Sequence, residues 1–97
     1  MNLDMHPEAR LELRDAIAYY EDHRDGLGLE FSLEIYASIN RVADAPLIWS
    51  RLTDNSRRFL TKRFPYSIIY QILVDAVLIV AIAHQSRKPG YWKDRLR

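Results

Sequence analysis

The stretch FPYSIIYQILVDAVLIVAIAH, Phe64 to His84, decides how this chain is read. It holds two short runs rich in β-branched and aromatic residues, Tyr66–Leu73 and Ala76–Ala83, and such runs form strands. Only Val74 and Asp75 part them, and so short a link makes the two strands antiparallel neighbours. Along the first run Tyr66, Ile68, Tyr70 and Ile72 share one side, while Ser67, Ile69, Gln71 and Leu73 share the other. The first side is apolar and suits a core. The second is mixed, the pattern of a face that meets water or a partner. The second run is apolar on both sides, which marks a central or covered strand. A partner chain is an expected cover.

Upstream, RRFLTKR (57–63) reads as a further strand, set apart by Phe64-Pro65, and PLIWSRLTDNS (46–56) as a loop. Before that loop the apolar period changes from two to three and four. In HPEARLELRDAIAYYEDHRDG, Pro7 suits the first helical position and Glu8 the positive end of the helix dipole. Ala9, Leu13, Ala16, Ile17 and Tyr20 make an amphipathic stripe. Gly26 is expected to stop this helix in a left-handed cap. In LGLEFSLEIYASINRVADAP the core stripe is Phe31, Ile35, Ile39 and Val42, broadened by Leu27, Leu33 and Tyr36. Pro46 ends the helix. The link from Glu21 to Leu27 is short, so the helices form an antiparallel hairpin. Asn2–Met5 is a short strand candidate. The expected architecture is α+β: a short N-terminal strand, then a helical hairpin on one face of a mostly antiparallel sheet of three to four strands.

With 97 residues and nearly half of them apolar, one domain spanning 1–97 is the natural reading. There is no cysteine, which excludes a disulfide framework or thiolate metal site and fits a cytoplasmic protein. The N-terminus lacks the apolar core of a signal peptide, and no apolar run is long enough for a transmembrane helix. The three histidines have no metal-ligand spacing, and no glycine-rich phosphate loop is present. Net charge is +1, yet it is unevenly spread. Residues 1–50 carry four Arg against ten Asp and Glu, a net −6, and residues 51–97 carry ten Lys and Arg against three Asp, a net +7. Such asymmetry points to a polyanionic partner, or to two halves that neutralise each other in the fold.

The basic residues gather in two places. Arg57, Arg58, Lys62 and Arg63 lie on or beside one strand, with Arg58 and Lys62 sent to one side by alternation. They either form a binding face or protect an edge strand from aggregation. The tail AHQSRKPGYWKDR (83–95) joins His84, Arg87, Lys88, Tyr91 and Trp92 directly to the most apolar strand. Imidazole titrates near neutrality, guanidinium matches phosphate, and a phenol can donate a proton or stack on a base. The plainer reading is that His84 caps the sheet and Tyr91 and Trp92 fold back as a lid. Pro89 and Gly90 bend the chain in either case. The acids Glu8, Glu12 and Asp15 read as a solvated helix face.

HPEARLELRDAIAYYE, GLGLEF, RRFLTKRFPYSIIYQI and VLIVAIAHQSRKPGYW, in this order, resemble the RelE/ParE superfamily of type II toxin–antitoxin toxins, often labelled plasmid stabilisation proteins. The resemblance covers nearly the whole chain. It implies a growth-inhibiting toxin silenced by a cognate antitoxin, with no cofactor, no metal and no membrane. RelE-like members cleave mRNA on the ribosome. For them the resemblance implies Arg58, Lys62, His84, Arg87 and Tyr91 as catalytic residues: a base takes the ribose 2′-OH proton, arginines stabilise the phosphorane and an acid protonates the leaving oxygen. ParE-like members act on DNA gyrase. The GLG hairpin and FPY strand look nearer to these, and Arg58, Lys62, Arg87, Lys88, Tyr91 and Trp92 then become partner-binding residues. A third reading is a non-toxic remnant that only binds its antitoxin.

Overall fold

The computed structural model describes residues 2–97. Strand β1 (Asn2–Met5) leads into helices α1 (Pro7–His23) and α2 (Leu27–Asp44), followed by strands β2 (Ser50–Thr53), β3 (Ser56–Leu60), β4 (Tyr66–Ile72) and β5 (Ala76–His84) and a 3-10 turn at Lys93–Arg95. The strands form one sheet in the order β1-β5-β4-β3-β2. All neighbours are antiparallel except β1, which runs parallel to β5. The α+β hairpin-on-sheet expectation therefore holds, with five strands in place of three or four. The extra one, β2, lies in the segment read as a loop. It is only four residues long and mostly exposed, so no apolar alternation announces it. β3 stops at Leu60, short of the expected Arg63.

Local chemistry sets the helix ends. Pro7 occupies the first turn of α1, and His6 Nδ1 accepts the Glu8 N–H at 3.1 Å. Gly26 is left-handed, at φ 86°, but it opens α2 and does not close α1. It has no side chain with which to cap that helix, and Glu21 does so from α1. Glu21 Oε2 accepts from Gly26 N–H and Oε1 from Gly28 N–H, each at 3.0 Å, which satisfies donors that a helix start leaves orphaned. Gly28 faces α1 so closely that an added Cβ would lie 2.7 Å from the Ile17 carbonyl oxygen. The hairpin turn thus rests on a glycine and a carboxylate.

The main core lies between hairpin and sheet. Ala9, Leu13, Phe31, Ile35, Ile39 and Val42 pack on Ile68, Tyr70, Val77, Ile79 and Ile82. Tyr20, Phe31, Phe64 and Tyr66 form a ring cluster with centroids 4.9–6.2 Å apart. Leu33 and Tyr36 do not broaden the core stripe: they are 60% and 52% exposed. The register between β4 and β5 slips between Ile69 and Tyr70, whose partners are Ala81 and Ile79. Val80 is the extra residue of this β-bulge. Facing parity flips across it, so Ile82 reaches the main core while Val80 and Ala81 both turn to the opposite face.

That opposite face is not left for a partner to cover, as the strand pattern suggested. The chain's own tail lies on it. Gly90, at φ 78°, reverses the chain, and Trp92, 5% exposed, packs among Ile69, Leu78, Val80, Ala81 and Ala83. Gln71, a polar residue of that face, exchanges two bonds with the backbone of Arg97, at 2.8 and 3.0 Å.

The Gly28 contact predicts that Gly28→Ala, though it raises helix propensity, lowers stability by roughly 1–3 kcal/mol through overpacking against α1. Urea unfolding measures this, and a variant as stable as the parent would show that the helices can part at no cost.

Candidate functional site

The sheet edge near the tail is organised by Glu12. β1 pairs with β5 only along Ala76–Ile79, so the outer edge of β5 beyond that point has no strand beside it. Glu12, projecting from α1, takes the place of one. Its Oε1 accepts the Ile82 N–H at 3.0 Å and Arg95 Nη1 at 3.0 Å; its Oε2 accepts the Tyr91 hydroxyl at 2.6 Å and Arg95 Nη2 at 3.1 Å. Arg95 Nη1 also donates to the Val80 carbonyl at 3.2 Å. The side chains of Arg95 and Glu12 are only 12% and 15% exposed. A carboxylate read as part of a solvated face is thus the most heavily bonded side chain of the tail region. Its spacing in a helix carries no sign of this, because the partners lie some 70 to 83 residues away.

Tyr91 is held from several directions. Its ring carries the Arg87 guanidinium at 3.9 Å and the Arg95 guanidinium at 5.1 Å, cation–π distances. Burial, then the bond to Glu12, raise its pKa well above the ordinary tyrosine value. His84 closes the turn that follows β5: its Nδ1 accepts the Ser86 N–H at 3.0 Å, with the Ser86 hydroxyl at 2.7 Å. With Nδ1 accepting the Ser86 amide, the ring proton of neutral His84 lies on Nε2.

Of the predicted site residues, Arg58, His84, Arg87, Lys88, Tyr91 and Trp92 line one open cleft of about 170 Å³ between β3 and the tail. Arg87 and Lys88 are exposed there and Arg58 is half-buried. Lys62 lies elsewhere, on the α2 side of β3. Trp92 forms the floor and its indole is buried, as the lid reading had it. No carboxylate lines this cleft. What it offers is positive charge beside an apolar floor. Arg57, next to Arg58, is taken up by the fold, donating to the carbonyls of Leu47 at 3.0 Å and Trp49 at 2.8 Å.

The sequence matches the family described as ParE toxin of type II toxin-antitoxin system, parDE, over residues 3–89. The chain belongs to the ParE toxin family. No curated protein matches it by sequence. Among solved structures it is similar to a chain of the chromosomal ParDE TA system from P. aeruginosa, with 18% identity and a TM-score of 0.73, over 87% of this chain and 95% of that one. At that identity the likeness is one of fold. The chain is thus a type II toxin by family. Among the described residues no helix is long and apolar enough to cross a membrane.

Glu12 is the point at which to test how the tail is held. Glu12→Ala leaves Arg95 unpaired at a nearly buried site and should cost about 3–5 kcal/mol. Glu12→Ala combined with Arg95→Met should recover part of that loss, and hydrogen exchange at the Ile82 amide should quicken in both. A single variant no less stable than the double one would mean that the pair does not hold the tail.

The phenols add a pH signature. Burial, then the nearby Tyr20, push Tyr66 up to about 12 from the ordinary 10.0, and Tyr91 is raised as well. A pKa higher in the folded state gives stability that is complete below the unfolded value and lost as the folded value is passed. Stability should therefore fall as pH rises from about 10 through 12, and less steeply in Tyr91→Phe. Thermal unfolding across that range checks it; equal slopes would assign the loss to other groups.

Proposed function

We propose that this chain is the toxin of a two-gene module, that it arrests growth by binding DNA gyrase, and that an acidic antitoxin silences it. Family membership supports the module. The target rests on one observation: the cleft that gathers Arg58, Arg87 and Lys88 is lined by cations and by no carboxylate. His84 Nδ1 there already accepts the Ser86 amide, and the Tyr91 hydroxyl already donates to Glu12. A 2′-OH attack needs a base within reach. Binding needs only a rigid cationic, partly apolar surface, and this tail supplies one. Arg87 is held in place by stacking on Tyr91, so its side chain loses little freedom on contact.

The acidic antitoxin follows from charge. The half of the chain after residue 50 is net +7, and its exposed cations Arg87 and Lys88 attract an acidic segment, speeding encounter more than they tighten the final complex. Because the tail already covers the sheet, that segment would lie beside the tail and not in its place.

Purified toxin should inhibit gyrase supercoiling and leave ribosome-bound mRNA intact. Arg87→Glu with Lys88→Glu should keep the fold, since exposed substitutions move stability little, and lose most of the inhibition. Tyr91→Phe should weaken stability while inhibition persists in the folded fraction. Cleavage of mRNA that drops about ten-fold or more in Tyr91→Phe would establish the RelE-like reading instead. Co-expression of the adjacent gene should restore growth.

A further inference from the structure

A second cleft, of about 250 Å³, opens where the end of α2 meets β3; Arg41, Trp49, Arg58, Phe59, Leu60 and Lys62 line it together with Ser50. Three of these are cations and none is an acid. Arg41, Arg58 and Lys62 form no salt bridge among the described residues. Two of the lining residues, Trp49 and Arg58, each carry a donor, Nε1–H and Nε–H, that is out of solvent contact and has no hydrogen-bond partner. A buried donor left unpaired is costly, and native proteins hold few of them. Here two occur on the lining residues of one cleft, with two further cations. The arrangement is not incidental to the packing of Trp49, for Arg57 grips the Leu47 and Trp49 carbonyls and fixes that segment.

We propose that this cleft is a carboxylate-binding site and that it receives an acidic side chain of an extended peptide laid along β2. Two observations favour a peptide over a nucleic acid. β2 is the last strand of the sheet, and its outer edge offers backbone donors and acceptors that an extended peptide can pair with. Ser50, the first residue of β2, is itself in the cleft lining, so a strand added along β2 would begin beside the cleft. The lining is also part apolar. Leu60 is 51% exposed beside Lys62, and the Trp49 and Phe59 rings meet edge to face at 4.6 Å. That suits a segment in which acids alternate with apolar residues. A carboxylate in the cleft would meet the three cations, and a small opening of the lining would bring the unpaired Trp49 and Arg58 donors within its reach. Arg58 also lines the tail cleft, so an occupant here would touch the surface that the gyrase reading uses. The identity of the peptide as the antitoxin's rests on that reading; the site itself does not.

The test uses the whole isotopically labelled protein. The resonances of Trp49 Nε1–H and Arg58 Nε–H are followed while a short capped peptide of alternating glutamate and leucine is added. Both should shift and saturate. The same peptide with glutamine in place of glutamate should leave them unmoved. Arg41→Gln with Lys62→Gln, both exposed and so harmless to folding, should weaken binding by about ten-fold or more. Unmoved resonances, or equal binding by the double variant, would overturn the site. Inorganic phosphate or a single-stranded RNA that moves the same signals at lower concentration than the peptide would overturn the carboxylate assignment. If the peptide binds as described but co-expression of the adjacent gene fails to restore growth, the site stands and the antitoxin reading falls.

Discussion

The bonds that converge on Glu12 close the part of the molecule that its strands leave open. β5 is the centre of the structure, yet β1 is too short to cover its far end. A backbone edge left bare beside a hydrophobic core would be unsatisfied. One carboxylate takes the Ile82 amide, one guanidinium takes the Val80 carbonyl, and the two are paired with each other. The tail is attached through the same two residues and through Tyr91. Remove the carboxylate and the edge, the tail and the stacking surface under Arg87 lose their common anchor. Ion pairs at surfaces contribute little; this one matters because it also finishes a strand.

The two faces of the sheet are built on different terms. The hairpin face is held by large side chains in a continuous core. The tail face is thinner: Trp92 and a few aliphatic residues, with polar bonds at its rim. The bulge at Val80 makes this possible by giving two successive residues to the tail side while returning Ile82 to the hairpin core. A regular strand would have placed Ala81 and Ala83 against the hairpin, where small side chains fill less space.

Periodicity made the α+β architecture readable: the stripes Ala9-Leu13-Ala16 and Phe31-Ile35-Ile39-Val42, and the alternation in β4, lie on the faces they implied. Residues whose partners are far away in sequence were not readable. Glu12 looks like any helix-surface acid, and nothing local tells it from Asp15, which is exposed. The cover of the second face went astray for a related reason: an apolar strand shows that something lies on it, not what. β2 was hidden because an exposed edge strand needs no apolar pattern. Of the candidate site, the tail cations and their bend at Gly90 were visible as a motif; Arg58 was joined to them only by the family resemblance, which put Lys62 there as well. That the Tyr91 hydroxyl and His84 Nδ1 are engaged was not, because a hydrogen-bond partner is a matter of geometry.

The span of the Glu12 contacts also bears on when the protein becomes itself during synthesis. The helical hairpin is local and can form as soon as α2 has emerged. The β4–β5 pairing is local too. But the clasp joins residue 12 to residues 91 and 95, and such long loops close late, after the contacts that are near in sequence. A nascent chain therefore carries its first half, acidic and without its counterweight of charge, until the basic half has followed. The tail is ordered only after Tyr91 and Arg95 leave the ribosome. Ordering of the tail cleft is thus tied to synthesis of residue 95, and a product cut short before it would lack the clasp.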